Sequence, residues 1–251
     1  MQPLKRNALL LAALWTGLLS VLFFFNLREI QKGPIEQAEV QARSLLDSVI
    51  SFRSWASHFG GVYVPPSEKY LPNPYLKTPK RDIVTQDGEQ LTLINPAYMT
   101  RQLFQDFYGQ GGINGRMSSL HPLNPMNTPD AWEKQALLGF EQGSLKASTI
   151  ESKPDGSRFF RYMQPLHVEE KCLQCHGEQG YRLGEVRGGI STMIDLSHGE
   201  AIAAKAIQSL VWTYGIVWLI GLLGIYVFSR RSVMLAAERD QKDNLLHVSE
   251  N

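Results

Sequence analysis

The sequence predicts an α+β domain held between two transmembrane helices. Three observations carry this reading: an uncharged stretch near each end of the chain, an amphipathic repeat after the first of them, and alternating strand-like runs through the middle. Ala8 to Phe25 is 18 residues without a charge, and Leu210 to Phe228 is 19. Each is the length a helix needs to cross a hydrocarbon core of ~30 Å. A formal net charge of +1 over 251 residues leaves no basic footprint for nucleic acid.

The first stretch competes with a signal peptide, because Lys5 and Arg6 precede it as a positive n-region would. It is long for that role, ends in bulky FFFNL and offers no small-residue cleavage site, so it reads as an uncleaved anchor. The second carries interfacial aromatics at Trp212, Tyr214, Trp218 and Tyr226, with Arg230 and Arg231 directly after. Basic residues on the outer flank of each span place both termini in the cytoplasm; Arg28 and Lys32 weaken the contrast at the first span only. The expected layout is a cytoplasmic N-terminus (1–7), a span (8–25), a periplasmic domain (26–209), a second inner-membrane span (210–228) and a cytoplasmic helical stub (229–251).

Each element of the loop domain has its own signal. Gly33-Pro34 is expected to break or restart the helix, since proline is tolerated in a first turn. Ile35, Ala38, Ala42, Leu45, Val49, Phe52 and Ala56 then recur at helical spacing until Gly60-Gly61. GVYV reads as a short strand, and residues 65 to 80 hold five prolines, which argues for a wrap or loop. Two β-rich runs flank Asp87-Gly88 as a hairpin. Asn95-Pro96 opens a helix to about Tyr108, asparagine as cap and proline first, and Thr128-Pro129-Asp130 opens another. A second hairpin turns at Pro154-Asp155-Gly156. Val186 to Leu196 reads as a last strand, and Ser197 with Glu200 as a capping box for the exit helix. This order of elements describes a PAS-like antiparallel sheet with flanking helices, and the stub after Arg231 is too short for an output domain.

Both cysteines lie in EEKCLQCHGEQG, residues 169–180. A structural zinc site would want a second pair of ligands at matching spacing, which His58, His121, His167 and His198 do not supply. A thioredoxin-like dithiol belongs at a helix N-terminus in a βαβ unit, and the glycine-rich tail here opposes that helix. A disulfide across two residues would constrain little of the unfolded chain. One covalent haem c accounts for every position: Cys172 and Cys175 form the thioethers, and His176 becomes the proximal iron ligand.

RSWASHFGGVYV, LTLINPAYMTRQL, SSLHPLNPMNTPDAWE, YMQPLHVEEKCLQCHG and GEVRGGISTMID together resemble the periplasmic c-type haem PAS-like sensor family over about residues 35 to 200. The resemblance implies an input domain of signal transduction, a module that commonly precedes kinase or cyclic-dinucleotide output domains. The chain is read as a sensor of redox state or of a small gas, signalling through a transmembrane helix to a kinase or cyclase partner, with a homodimer as the candidate assembly. The rival reading is a membrane-anchored electron-transfer cytochrome with a redox partner.

The second face of the iron needs another donor. Met99, in the first turns of the helix opened by Asn95-Pro96, is the first candidate distal ligand and His58 the runner-up. Met117 and His121 follow, and packing in the core is the plain alternative for Met99. Trp55, Tyr63, Tyr98, Trp132 and Tyr162 are candidate pocket aromatics. Arg101, Arg116, Arg158 and Arg161 are candidate partners for the haem propionates. With no nucleophile–base pair and no phosphate loop in the sequence, enzymatic catalysis is not expected.

Overall fold

The apolar run at the N-terminus and the amphipathic repeat after it form a single helix, α1 (Gln2–His58), with Pro34 inside it. The expected break at Gly33-Pro34 does not occur. Proline there removes one N–H donor, but the residues on both sides are strongly committed to helix, so the loss stays within one turn. The computed structural model describes residues 2–108 and 114–249. Pro34 also ends the first segment of one unit, Met1–Pro34 with Gly199–Asn251; the other unit is Ile35–His198.

In the first unit, α1 pairs with the exit helix α5 (Ser197–Ser249). Both carry stretches long and apolar enough to cross a membrane, with mean hydropathy 2.3 and 1.9. Their contact is made as membrane helices make it, through a small residue and a few polar bonds. A Cβ on Gly221 would lie 2.2 Å from Trp15 Nε1. Trp218 donates to Thr16 Oγ1 at 3.0 Å, and Asn26 donates to the Tyr214 hydroxyl at 3.0 Å.

The second unit is α+β with two antiparallel sheets. The smaller has the order β1-β3-β2, from Val62–Val64, Gln90–Ile94 and Asp82–Val84. Gly88, at φ +85°, makes the β2–β3 turn that Asp87-Gly88 predicts. The larger sheet runs β4-β7-β6-β5: Asn114–Ser118, Val186–Asp195, Arg158–His167 and Ala147–Ser152. β5 and β6 are the expected hairpin around Pro154-Asp155-Gly156, and β6 pairs along its length with β7, Phe160 opposite Ile194.

Alternation along β6 explains the layering, because successive side chains face opposite sides of a sheet. Phe160, Tyr162 and Leu166 join Ala38, Ala42, Leu46 and Val49 of α1, with Ile190 and Ile194 of β7, in one core. Met163 faces the other way and packs with Ala136, Leu137 and Phe140 of α3 (Ala131–Glu141). Leu46 is fully buried; truncating such a residue to alanine costs about 2–5 kcal/mol.

Three details differ from the sequence reading. The helix opened by Asn95 is α2 (Pro96–Gln102), which widens into a π-turn at Leu103–Tyr108 before the expected end. α3 starts at Ala131, capped by Asp130 and Glu133 in a capping box. At α5 the acceptor for the Ser197 N–H is Asp195 Oδ1, at 2.8 Å. This bond and the Ser197 side chain hold the Asp195 carboxyl below its usual range.

Candidate functional site

The two-cysteine segment folds as a 3-10 turn, Glu170–Cys172, followed by the one-turn helix α4, Leu173–His176. It is tied to the end of α1, since Ser54 Oγ donates to both carboxylate oxygens of Glu169 at 3.0 and 3.2 Å. The Cys172 thiol is free and accepts the Glu169 N–H at 3.4 Å. The Cys175 side chain lies outside the described residues.

His176 Nδ1 is 2.7 Å from Gln179 Oε1 and 3.2 Å from Arg187 Nε. One nitrogen cannot donate to the first and accept from the second at once. The shorter contact is to a carbonyl oxygen, which only accepts, and it assigns the proton to Nδ1. Nε2 is then the lone-pair nitrogen. Burial pushes the imidazole pKa down; the Gln179 bond opposes this, and the charges of Arg187 and Arg53 add to the lowering. The ring is therefore held in the neutral form that binds metals.

His176 lines a cavity of about 540 Å³, within the usual size of a small-molecule or cofactor site. Arg53 at the end of α1, the wrap from Asn73 to Lys77 and the start of α2 form part of its wall. Met117 to Ser119 at the end of β4, the loop from Pro122 to Asn127, and Arg187 on β7 complete it. Four cations line it, Arg53, Lys77, Arg101 and Arg187, and no aspartate or glutamate stands among the described lining residues. Burial lowers the pKa of Arg53; Cys172 and Glu169 act on it in the opposite direction, and Arg187 adds to the lowering.

Three Asn-Pro pairs build this wall, and each asparagine works alike. Asn73 Oδ1 accepts the Tyr75 N–H at 3.1 Å, Asn95 Oδ1 the Tyr98 N–H at 3.1 Å, and Asn124 Oδ1 the Met126 N–H at 3.0 Å. Such Asx caps fix the turn and leave the amide nitrogen for other partners. Asn73 Nδ2 reaches Asn95 Oδ1 at 3.4 Å, which clasps the proline-rich wrap to α2. Among the described residues Asn124 Nδ2 is buried without a hydrogen-bond partner, and so is Ser118 Oγ.

The structure sorts the sequence candidates. Met99 is half-buried on α2 and does not line the cavity, whereas Met117 does, its sulfur 3.9 Å from Arg53 Nη1. His58 is exposed at the end of α1, its Nδ1 2.9 Å from Ser54 O, and His121 is exposed and outside the lining. Of the expected arginines only Arg101 lines the cavity. Arg116 bonds the Met126 and Thr128 carbonyls at 3.2 and 2.7 Å, and Arg161 pairs with carboxylates under α3. None of the five candidate aromatics lines it; Tyr75 does. Trp55 instead stands exposed between Phe52 and Phe59, at ring distances of 5.7 and 5.3 Å. Arg53, Arg187 and the asparagines were not read as site residues, although the thrice-repeated Asn-Pro was the available signal.

Fold and site together define an α+β domain with a cationic cavity onto which a C-x-x-C-H histidine faces, in a chain with two candidate membrane helices. The chain belongs to the Tll0287-like family, whose model matches residues 31–195. Among solved structures it is similar to the cyanobacterial heme-protein Tll0287, at 16% identity and a TM-score of 0.44, over 64% of this chain and 94% of that one. No curated protein matches the chain.

Proposed function

We propose that this chain is a membrane-anchored haem c protein of the inner membrane, with a PAS-like periplasmic domain that senses redox state or a small gas. The C-x-x-C-H segment and membership of the Tll0287-like family support a haem cofactor. The observation that carries the reading is the placement of a neutral histidine on a cavity lined by cations, with no acid among the described lining residues. Such a lining fits a haem, an apolar ring with two carboxylates. When bound, haem supplies a one-electron couple and an axial position for a diatomic gas.

In this reading Cys172 and Cys175 would hold the group covalently and His176 would ligate its iron through Nε2. Gln179 orients the imidazole by accepting from Nδ1, as the outer partners of ligating histidines do. Leu76, Leu123 and Leu166 give the cavity its apolar surface. Arg187 touches the His176 ring and stands on β7, the strand that ends at Asp195 beside the start of α5, so a change at His176 would reach the exit helix and a signalling partner through that contact and the strand.

The test is a set of optical spectra of the purified protein, oxidised, reduced and with carbon monoxide. A gas sensor binds carbon monoxide in the parent. A parent that does not bind carbon monoxide, with the sixth position held by a donor that the gas cannot displace, is left to redox sensing or to electron transfer. Among thioethers Met117 lines the cavity, so Met117→Ala is expected to open the sixth position if sulfur occupies it, with Met99→Ala and His58→Ala as the parallel variants. Rapid exchange with a soluble cytochrome would favour the electron-transfer reading, and co-purification of a kinase or cyclase would favour the sensor.

A further inference from the structure

We propose that Arg53, Arg187, Ser118 and Asn124 form a carboxylate seat in the cavity wall, and that the carboxylates it receives are the haem propionates. This rests on the haem reading for the source of the carboxylate; the seat itself is argued from the side chains. Among the described residues every contact of Arg187 is to a neutral group: Ser119 Oγ at 2.5 Å, Gln179 Oε1 at 3.4 Å, the His176 ring, and the face of Tyr181 at 4.9 Å. The hydrogen bond of Arg53 goes to a thioether sulfur. Both cations are partly desolvated, which lowers their pKa values; Glu169 acts on Arg53 only through its field, and among the described residues neither cation has a carboxylate in contact, an arrangement that is costly for a desolvated charge.

Two further groups on the same wall lack partners. Asn124 is 5% exposed and its Nδ2 has no acceptor among the described residues; Ser118 is 2% exposed and its Oγ has no partner among them. The Asn124 oxygen is committed to its Asx cap, so its amide can only donate. Two guanidinium groups, an amide and a hydroxyl are all donors, and an oxyanion is what donors in this number satisfy. Arginine is the residue whose fork matches a carboxylate bidentately. Ser118 and Ser119 are successive residues, and Ser119 is bonded to Arg187, which keeps the hydroxyl and the guanidinium in one neighbourhood. Because Arg187 also touches the His176 ring, occupancy of the seat bears directly on the axial ligand.

The experiment uses the full-length haem-loaded chain and its Arg53→Gln, Arg187→Gln, Arg187→Lys and Asn124→Asp variants. Removing a cation or adding a carboxylate beside the haem favours ferric iron. Each of Arg53→Gln, Arg187→Gln and Asn124→Asp is expected to move the ferric-to-ferrous ratio at fixed potential about tenfold, a fall of ~59 mV for one electron. Arg187→Lys should move it less. The Arg→Gln variants should also gain a pH-dependent potential between about pH 5 and 8, because a propionate without its cation takes up a proton more readily. That signature would not follow from a purely structural role.

Added acetate separates the two sources of carboxylate. With haem propionates in the seat, acetate leaves the parent potential unchanged. A saturable acetate effect, lost in Arg187→Gln, would keep the seat but assign it to a free carboxylate and overturn the propionate assignment. Unchanged potentials and pH profiles in both Arg→Gln variants, with no acetate effect, overturn the seat. A parent chain that carries no haem fails the haem reading alone; thermal stabilisation by acetate, present in the parent and lost in Arg187→Gln, then decides the seat.

Discussion

Two groups of arginines sit in the Ile35–His198 unit, and they differ in what faces them. Arg161, on the α3 side of the larger sheet, meets Asp130 at 2.6 Å, Glu151 at 3.2 Å and Glu133 at 3.6 Å. Glu133 is fully buried, and it also accepts from Ser191 Oγ at 2.8 Å. Arg53 and Arg187, on the cavity wall, make their hydrogen bonds among the described residues to neutral groups, and Glu169 reaches Arg53 only through its field. Buried charges that stabilise a fold bring their counter-ions with them. The first group is closed in this sense and the second is open, which is how a structural network and a binding site can be told apart without a ligand.

The largest effect that sharpens this contrast is on the closed side. Glu133→Ala leaves Arg161 short of a buried anion and should cost about 3–5 kcal/mol, read by urea unfolding, while the haem potential of the folded fraction stays at the parent value. Arg187→Gln should show the opposite profile in a haem-free Cys172→Ala/Cys175→Ala chain, where it relieves an uncompensated cation. A loss of no more than about 1 kcal/mol is expected there, and a loss as large as that of Glu133→Ala would break the comparison.

Smaller still is the acid sensitivity of the closed network. Burial alone would raise the Asp130 carboxyl, but the Glu133 N–H and the Arg161 guanidinium outweigh it and hold the pKa below its ordinary 3.8. A depressed folded-state pKa contributes stability above the unfolded value and loses it as pH falls through the folded one. Asp130→Asn should therefore flatten the stability profile below about pH 4 and leave it parallel to the parent at neutral pH, as pH-dependent unfolding curves would record.

What the sequence made legible follows the strength of its local signals. Both hairpins, α3, β7 and the exit helix rest on alternation, turn residues and caps, which act within a few positions. The helix through Pro34 was misread because a local breaker was weighed without the committed segments on either side. β4 was not read at all: NGRMS has no β-branched residue, and its pairing comes from β7, some seventy positions later, with Gly115 pressed under Phe104, where a Cβ would lie 2.1 Å from the ring. In the site, C-x-x-C-H was legible because its chemistry is contiguous. The cavity wall was not, since Arg53, Asn73, Asn124 and Arg187 meet only after the sheet has formed. Met99 and Met117 show the same limit: both are plausible by type, and only the fold puts one of them on the cavity.

The central claim is covalent haem at Cys172 and Cys175, and a haem stain of the denatured chain tests it most directly. The parent, made in cells that attach haem c, should keep its haem on a denaturing gel and give a c-type pyridine haemochrome, and Cys172→Ala/Cys175→Ala should give neither. Complete extraction of the haem by acid acetone from the parent, or a parent without haem, would contradict the account.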